Sequence, residues 1–244
     1  MRIAVAGGTG WAGRLVVDAV VAAGHEPRVL ARSRGVDLTT GRGLEAALDG
    51  VSRVIDASNV TTTSRAKSVA FFEAAAGHLL PALESAGVEH HVVLSIVGID
   101  RVGFGYYQGK LRQEERVRES RVPYTVLRTT QFHEFAAQML ARGGPLAVVP
   151  RMRCRPVAAR EVADTLVRLV LAEPAGHAPE LAGPEVREMV AMVRQLQRAR
   201  GGRRPVLPVS LPGAVGKAMA GGGLLPLGDS ARGTCTFDEW VAAG

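Results

Sequence analysis

Lysine is rare in this chain, with three lysines against 27 arginines. One of them, Lys110, lies in the stretch GFGYYQGKLRQEE, four residues after Tyr106 and three after Tyr107. Residues four apart on a helix share a face about one turn apart, so the spacing sets an ammonium beside a phenol. That neighbour favours phenolate and draws the tyrosine pKa down from about 10. A phenol tuned in this way can protonate a carbonyl oxygen that receives hydride. Arginine would supply charge, but its fork is bulkier and bonds differently. Tyr107 is the rival donor, since a three-residue spacing also lies near that face. The plain alternative is an exposed helix with a solvated lysine and two packing tyrosines.

A second constellation stands at the N-terminus. The run GGTGWAG, Gly7 to Gly13, follows the apolar strand RIAVA directly. Gly8, Gly10 and Gly13 give the G-x-G-x-x-G spacing, with Thr9, Trp11 and Ala12 between them. Such glycines allow a tight turn, close approach of backbone to a pyrophosphate, and helix–strand contact. The helix that opens there offers free N–H groups and a positive dipole end to phosphate. About 20 positions on, an NAD site usually places an acid for the ribose 2′-hydroxyl. Here the chain reads Arg32, Ser33, Arg34, and the nearest acid, Glu26, precedes the strand. Guanidinium groups hold a 2′-phosphate where a carboxylate would repel it. The expected cofactor is therefore NADP(H).

Strands and helices must alternate to position these groups, and the sequence does so. RIAVA, PRVLAR, SRVIDAS, HHVVLSI and PYTVLR read as buried strands. Helical stretches lie between them at Leu44–Leu48, Ser64–Ser85 and Tyr106–Ser120. The pattern predicts an α/β fold, a doubly wound parallel Rossmann sheet, with ligands at the carboxyl ends of the strands. Residues 1–150 form the expected NADP-binding core. Residues 151–244 form a smaller substrate-binding portion that closes over it. The Gly- and Pro-rich text from Leu211 suits a loop-rich lid, and helices are expected over Thr130–Ala141, Ala159–Ala172 and Glu185–Ala199.

Composition narrows the classes further. The 244 residues suffice for a full core. No apolar run is long enough for a membrane span, and no signal peptide is evident. Two cysteines, Cys154 and Cys235, build no disulfide framework and no cysteine-rich metal site, which suits free thiols in a cytoplasmic protein. No metal site is expected. The net charge of +7 is spread thinly apart from Arg151, Arg153, Arg155 and the cluster Arg194–Arg204. Neither group interleaves aromatics, so nucleic acid is not an expected partner and a small-molecule substrate is. Oligomeric state is not legible.

Together these motifs resemble the short-chain dehydrogenase/reductase superfamily, in the atypical branch that includes NmrA-like and NAD(P)H-binding quinone or isoflavone reductase-like proteins. The resemblance rests on AGGTGWAG, ARSR, Asp37-Leu38, LSIVGID, YYQGKLRQEE, VPYTVLRTTQFHEF and RPVAAREVAD. It implies that Tyr106 donates a proton, that Lys110 orients the nicotinamide ribose, and that Ser95 completes the catalytic set. It also implies that Asp37 meets the adenine, that Leu38, Ala57 and Ser58 belong to the cofactor site, and that Gln131, Phe132 and His133 face the substrate. The implied activity is NADPH-dependent reduction of a small carbonyl, enone or quinone. A non-catalytic NADP-binding sensor acting through a protein partner is the alternative, and an epimerase or dehydratase would use the same residues.

Overall fold

The computed structural model describes residues 1–244. In chain order, the elements are β1 (Arg2–Ala6), α1 (Trp11–Ala22), β2 (Glu26–Leu30), α2 (Leu44–Leu48), β3 (Arg53–Asp56), α3 (Arg65–Ser85), β4 (His90–Ile96), α4 (Gly105–Glu119) and β5 (Tyr124–Thr129). Then come α5 (Glu134–Ala141), β6 (Ala147–Pro150), β7 (Arg153–Cys154), α6 (Ala159–Leu171), β8 (Gly176–His177), β9 (Leu181–Ala182) and β10 (Arg187–Glu188). The chain ends with α7 (Met189–Ala199), β11 (Val206–Val209), α8 (Gly213–Ala220), β12 (Ala231–Arg232) and α9 (Phe237–Ala243). They form two compact units. The first comprises Met1–Ser95, Phe104–Arg128 and Val162–Ala178, and the second Ile96–Gly103, Thr129–Glu161 and Pro179–Gly244.

In the first unit, strands run in the order β2-β1-β3-β4-β5, with β8 beside β5. The pairings are parallel, with Ile3 opposite both Pro27 and Arg53, and Val54 opposite His91. This is the Rossmann-like doubly wound arrangement the alternation predicts. The inner strands β1, β3 and β4 are fully buried in their middles (Ala4, Val5, Val54, Ile55, Val92, Val93), as a sheet covered on both faces requires, and the edge strand β2 is only partly buried. Strand order reverses between β1 and β3, and there Ala57 N–H donates to the Ala6 carbonyl at 3.0 Å. A crevice at such a reversal is where open α/β sheets take ligands. Helices α3 and α4 pack closely because α4 presents glycine: a Cβ at Gly109 would strike Ser68 Oγ and stand 2.7 Å from Phe72 Cδ2. Ser68 Oγ, at that contact, donates to the Tyr106 carbonyl at 2.8 Å.

The second unit holds the parallel pair β6–β11, the antiparallel pair β7–β10, and β9 between Thr129 and β12. Three expectations change here. Helix α5 starts at Glu134 and not Thr130, because Gln131 and His133 bond across to Val157. Helix α7 starts at Met189, because Arg187 and Glu188 pair with Cys154 and Arg153. Local helical pattern yields to strand pairing at both places.

The third concerns the stretch after Leu211, which is not simply loop: it contains α8 and α9. The second is started by a capping box. Thr236 Oγ1 accepts from Glu239 N–H at 3.2 Å, and Glu239 Oε2 accepts from Thr236 N–H at 2.8 Å. Phe237 is fully buried beside it. Thr236→Ala should cost about 1–2 kcal/mol. The loss is expected as faster amide exchange confined to residues 237–243, and unchanged exchange there would show that Phe237 alone holds the helix.

Candidate dinucleotide site

The glycine loop is built by backbone bonds. Gly7 N–H donates to Leu30 O at 3.0 Å, Gly8 N–H to Val5 O at 3.2 Å and Gly10 N–H to Gly7 O at 2.8 Å. Gly7 takes a φ of +73°, and a Cβ there would stand 2.8 Å from Ser58 Cα, so the turn after β3 walls the loop. A Cβ at Gly13 would fall on the Gly7 carbonyl. Helix α1 begins at Trp11 behind Gly10, with no side-chain cap and no acid in its first turn. Its positive end is therefore not offset by a side-chain cap or by an acid of its own first turn. Thr9, Gly10 and Trp11 are exposed on the loop, and Arg14 Nε pins it from outside through Thr9 O at 3.1 Å. This cradle fits a pyrophosphate: backbone donors converge where side chains cannot.

At the end of β2, Arg32, Ser33 and Arg34 form one turn of 3-10 helix, closed by Gly35 at a φ of +79°. All three side chains are exposed, and neither arginine makes an ion pair within the protein. Asp37 Oδ1 accepts from Thr39 N–H at 2.9 Å and Thr39 Oγ1 at 2.7 Å. These bonds, with Arg32 and Arg42 nearby, hold its carboxyl below the usual range. Leu38, expected in the cofactor site, has its side chain in the hydrophobic core with Leu30, Val36 and Leu44, so only its backbone is left to face a ligand.

Lys110 is buried, and its place differs from the expectation. Its Nζ donates to Leu94 O at 2.6 Å and to Gln113 Oε1 at 2.5 Å, and lies 4.9 Å from the Phe72 ring centroid. Gln113 Nε2 donates onward to Asp56 Oδ2 at 2.8 Å, and Asp56 Oδ1 accepts Ser58 N–H at 2.8 Å. The ammonium thus anchors the turn beside Gly7 through two side chains. His91, 3.9 Å from Asp56 and enclosed, is pushed by burial down to about 4.

Burial likewise pushes Lys110 down to about 8 from its ordinary 10.5, with Asp56 and Glu114 opposing. Below pH 8 the lysine is charged folded and unfolded, and the burial penalty is complete. Between pH 8 and 10.5 the unfolded chain binds the extra proton, so stability rises with pH. From pH 7 to 9 the rise is about 1.4 kcal/mol. It should appear in the unfolding free energy of the native protein and vanish in Lys110→Gln. A rise of equal size in both proteins would assign it to another group.

Tyr106 is not tuned by Lys110. Its hydroxyl donates to Asn59 Oδ1 at 2.7 Å, and burial pushes its pKa up, opposed only by that bond. Tyr107 is buried edge-on against Phe104, with ring centroids 5.4 Å apart, and burial raises it too. Both phenols are neutral throughout the physiological range, contrary to the expectation of a lowered tyrosine. The physical reason is that Gln113, one turn beyond Lys110, takes the ammonium.

Ser95 is committed as well. It is 1% exposed, and its Oγ donates to Glu114 Oε1 at 2.5 Å. Arg128 grips the same carboxylate with two bonds of 3.0 and 2.7 Å. The arrangement is a buried bidentate ion pair with a serine attached, and not a hydroxyl presented to a substrate. Asn59 escaped the sequence reading. Its position two residues after Ala57, at the carboxyl end of β3, was the signal that could have found it.

In the second unit, Gln131 and Phe132 are half-buried, and neither end of the Gln131 amide has a protein partner. His133 is fully buried, bonds Cys235 O through Nε2 at 3.0 Å, and packs against Phe237 and Trp240. It is a core histidine anchoring α9, which corrects its expected place facing substrate. In the basic cluster, Arg204 bonds the carbonyls of Leu140 and Arg142.

A Rossmann-like sheet with a glycine loop at the β1–β3 reversal defines a nicotinamide-dinucleotide-binding protein. The chain belongs to the NAD(P)H-binding family, whose model matches residues 7–173. Comparison with curated proteins gave no match. Among solved structures, the NADPH-dependent quinone oxidoreductase of Escherichia coli complexed with NADPH is similar at 20% identity, with a TM-score of 0.73 and 99% of each chain covered. The triphenylmethane reductase of Citrobacter sp. complexed with NADP(H) is 17% identical, with a TM-score of 0.74, over 100% of this chain and 99% of that one. A short-chain dehydrogenase/reductase superfamily protein from Agrobacterium tumefaciens with bound NAD is 19% identical, with a TM-score of 0.71, over 100% and 95%. At these identities the likeness establishes the fold alone, and the fold accepts either dinucleotide. No helix is long and apolar enough to cross a membrane.

Proposed function

We propose that the protein is an NADP(H)-dependent oxidoreductase that passes hydride to a small carbonyl, enone or quinone. The observation that carries this reading is the pair Arg32 and Arg34, exposed and in no salt bridge just after β2, in the unit that holds the glycine loop. Bound NADPH would supply the hydride. The chain's own part is to hold the pyrophosphate on the α1 N-terminus, hold the 2′-phosphate by the two guanidiniums, and keep the Ala57–Ser58 turn rigid through Asp56, Gln113 and Lys110.

Within the three acceptor classes the site favours a quinone. Ketone reduction needs an acid poised near neutrality, and Tyr106 has been moved the other way. A quinone reduced to its hydroquinone anion takes its proton from water and makes no such demand. The unassembled tyrosine–lysine pair also favours one other reading, a non-catalytic NADP sensor acting through a protein partner. NADPH consumption measured against quinones, enones and aldehydes separates the two. Turnover with a quinone supports the oxidoreductase. NADPH binding without turnover on any of the three supports the sensor.

A further inference from the structure

Asn59 continues the Ala57–Ser58 turn that walls Gly7, and its side chain is exposed. Two donors converge on its Oδ1: Val60 N–H at 2.8 Å and the Tyr106 hydroxyl at 2.7 Å. A backbone N–H can only donate, so the atom facing it must be the oxygen, and the amide has one orientation. The NH2 group is consequently turned away from both contacts, and no group of the protein accepts from it. Tyr106 is itself braced by the Tyr107 ring, centroids 5.7 Å apart, and the Phe72 ring, at 6.4 Å. A neutral, braced phenol is thus aiming a carboxamide at the carboxyl end of β3, beside the phosphate loop.

We propose that Asn59 is a ligand-binding residue whose NH2 donates to an acceptor oxygen of the molecule bound at this site, and that Tyr106 is its positioning residue. The inference rests on the dinucleotide reading of the site. The oxygen can belong to the nicotinamide dinucleotide or to the substrate carbonyl, and the chemistry is the same: a neutral donor pair that holds an oxygen without giving up a proton. In the second case bound NADPH would supply hydride, the Asn59 NH2 would hold the oxygen as it gained negative charge, and water would supply the proton.

Asn59→Asp tests this with little structural disturbance, since a carboxylate still accepts from Val60 and Tyr106 but turns an oxygen where the donors were. A loss of about 10–100-fold is expected, because the donated hydrogen bond is lost and a carboxylate oxygen is set against the ligand's acceptor. It falls on the NADPH dissociation constant if the oxygen is the cofactor's. It falls on kcat/KM for a quinone, at saturating NADPH, if the oxygen is the substrate's. Tyr106→Phe should change the same quantity in the same direction by about 3–10-fold, one lost hydrogen bond. The double variant should be no worse than Asn59→Asp, since the tyrosine acts through the amide. Thermal midpoints should stay level.

Both quantities within twofold of the native values in Asn59→Asp and in Asn59→Ala would overturn the proposal. So would a Tyr106→Phe loss of about 10²–10⁴ with Asn59→Asp silent, the mark of a general acid. If the native protein binds neither NADPH nor NADH, the dinucleotide reading itself fails and the proposal with it.

Discussion

Gly13→Ala should weaken NADPH binding by at least about 100-fold. The added Cβ would fall on the Gly7 carbonyl, a backbone atom with no flexible end to swing aside. Helix α1 or the loop must therefore move. Overpacking of this kind costs about 1–3 kcal/mol of stability. Displacing positioned groups by about 1 Å costs about a further hundredfold in whatever they position. The two effects separate experimentally. A thermal denaturation curve reports the first, and fluorescence titration of NADPH, at a temperature where the variant is fully folded, reports the second. Retention of affinity within threefold would show that the loop does not hold the pyrophosphate. Gly24 is the control: it lies past the end of α1, has a φ of +77° and has open space around it. Alanine there strains the backbone and should leave NADPH affinity unchanged.

Replacing Arg32 and Arg34 together by alanine should weaken NADPH by about 2–4 kcal/mol, or roughly 30- to 1000-fold, the worth of two charge-assisted contacts. NADH affinity should stay within threefold. Both side chains are exposed, so salt screens part of the effect, and the lower end applies near physiological ionic strength. An arginine-rich surface is the competing explanation for their presence. It predicts equal affinity of the native protein for the two cofactors and no selective loss in the variant. Neither arginine makes a salt bridge and both are exposed, so unfolding stability should move by less than about 0.5 kcal/mol. A large stability change would mean that the pair is structural.

The features legible in the sequence were those set by local pattern, whether a short strand or the long helices α3, α4 and α6. The glycine loop, the five core strands and α2 come from patterns of five to seven residues, each decided by local geometry. Lys110 shows where this stops. Its helix, its face and its nearness to Tyr106 along the chain all follow from four-residue spacing. Its partner does not, because the pull comes from Asp56, 57 residues before Gln113 in the chain. His133 departs from its expected place for a related reason: a motif position fixes the backbone, and the surrounding apolar side chains decide which way the side chain packs. The helix α9 was hidden by its Gly- and Pro-rich approach, although Thr236 and Glu239 were spaced as a helix start. Helix α7 was drawn too long because a helical period cannot report that Cys154 and Arg153 pair with its expected first turn.

The enclosure of Lys110 turns the scarcity of lysine into an instrument. Of the three side-chain amines, Lys67 and Lys217 are exposed and Lys110 is sealed under Phe72 against the sheet. An amine-reactive reagent applied to the native protein should label the first two quickly and the third only during openings of the first unit. The mass added at Lys110 over time therefore reads the population of those openings, or their rate once the reagent outpaces reclosing, without a probe having to be introduced.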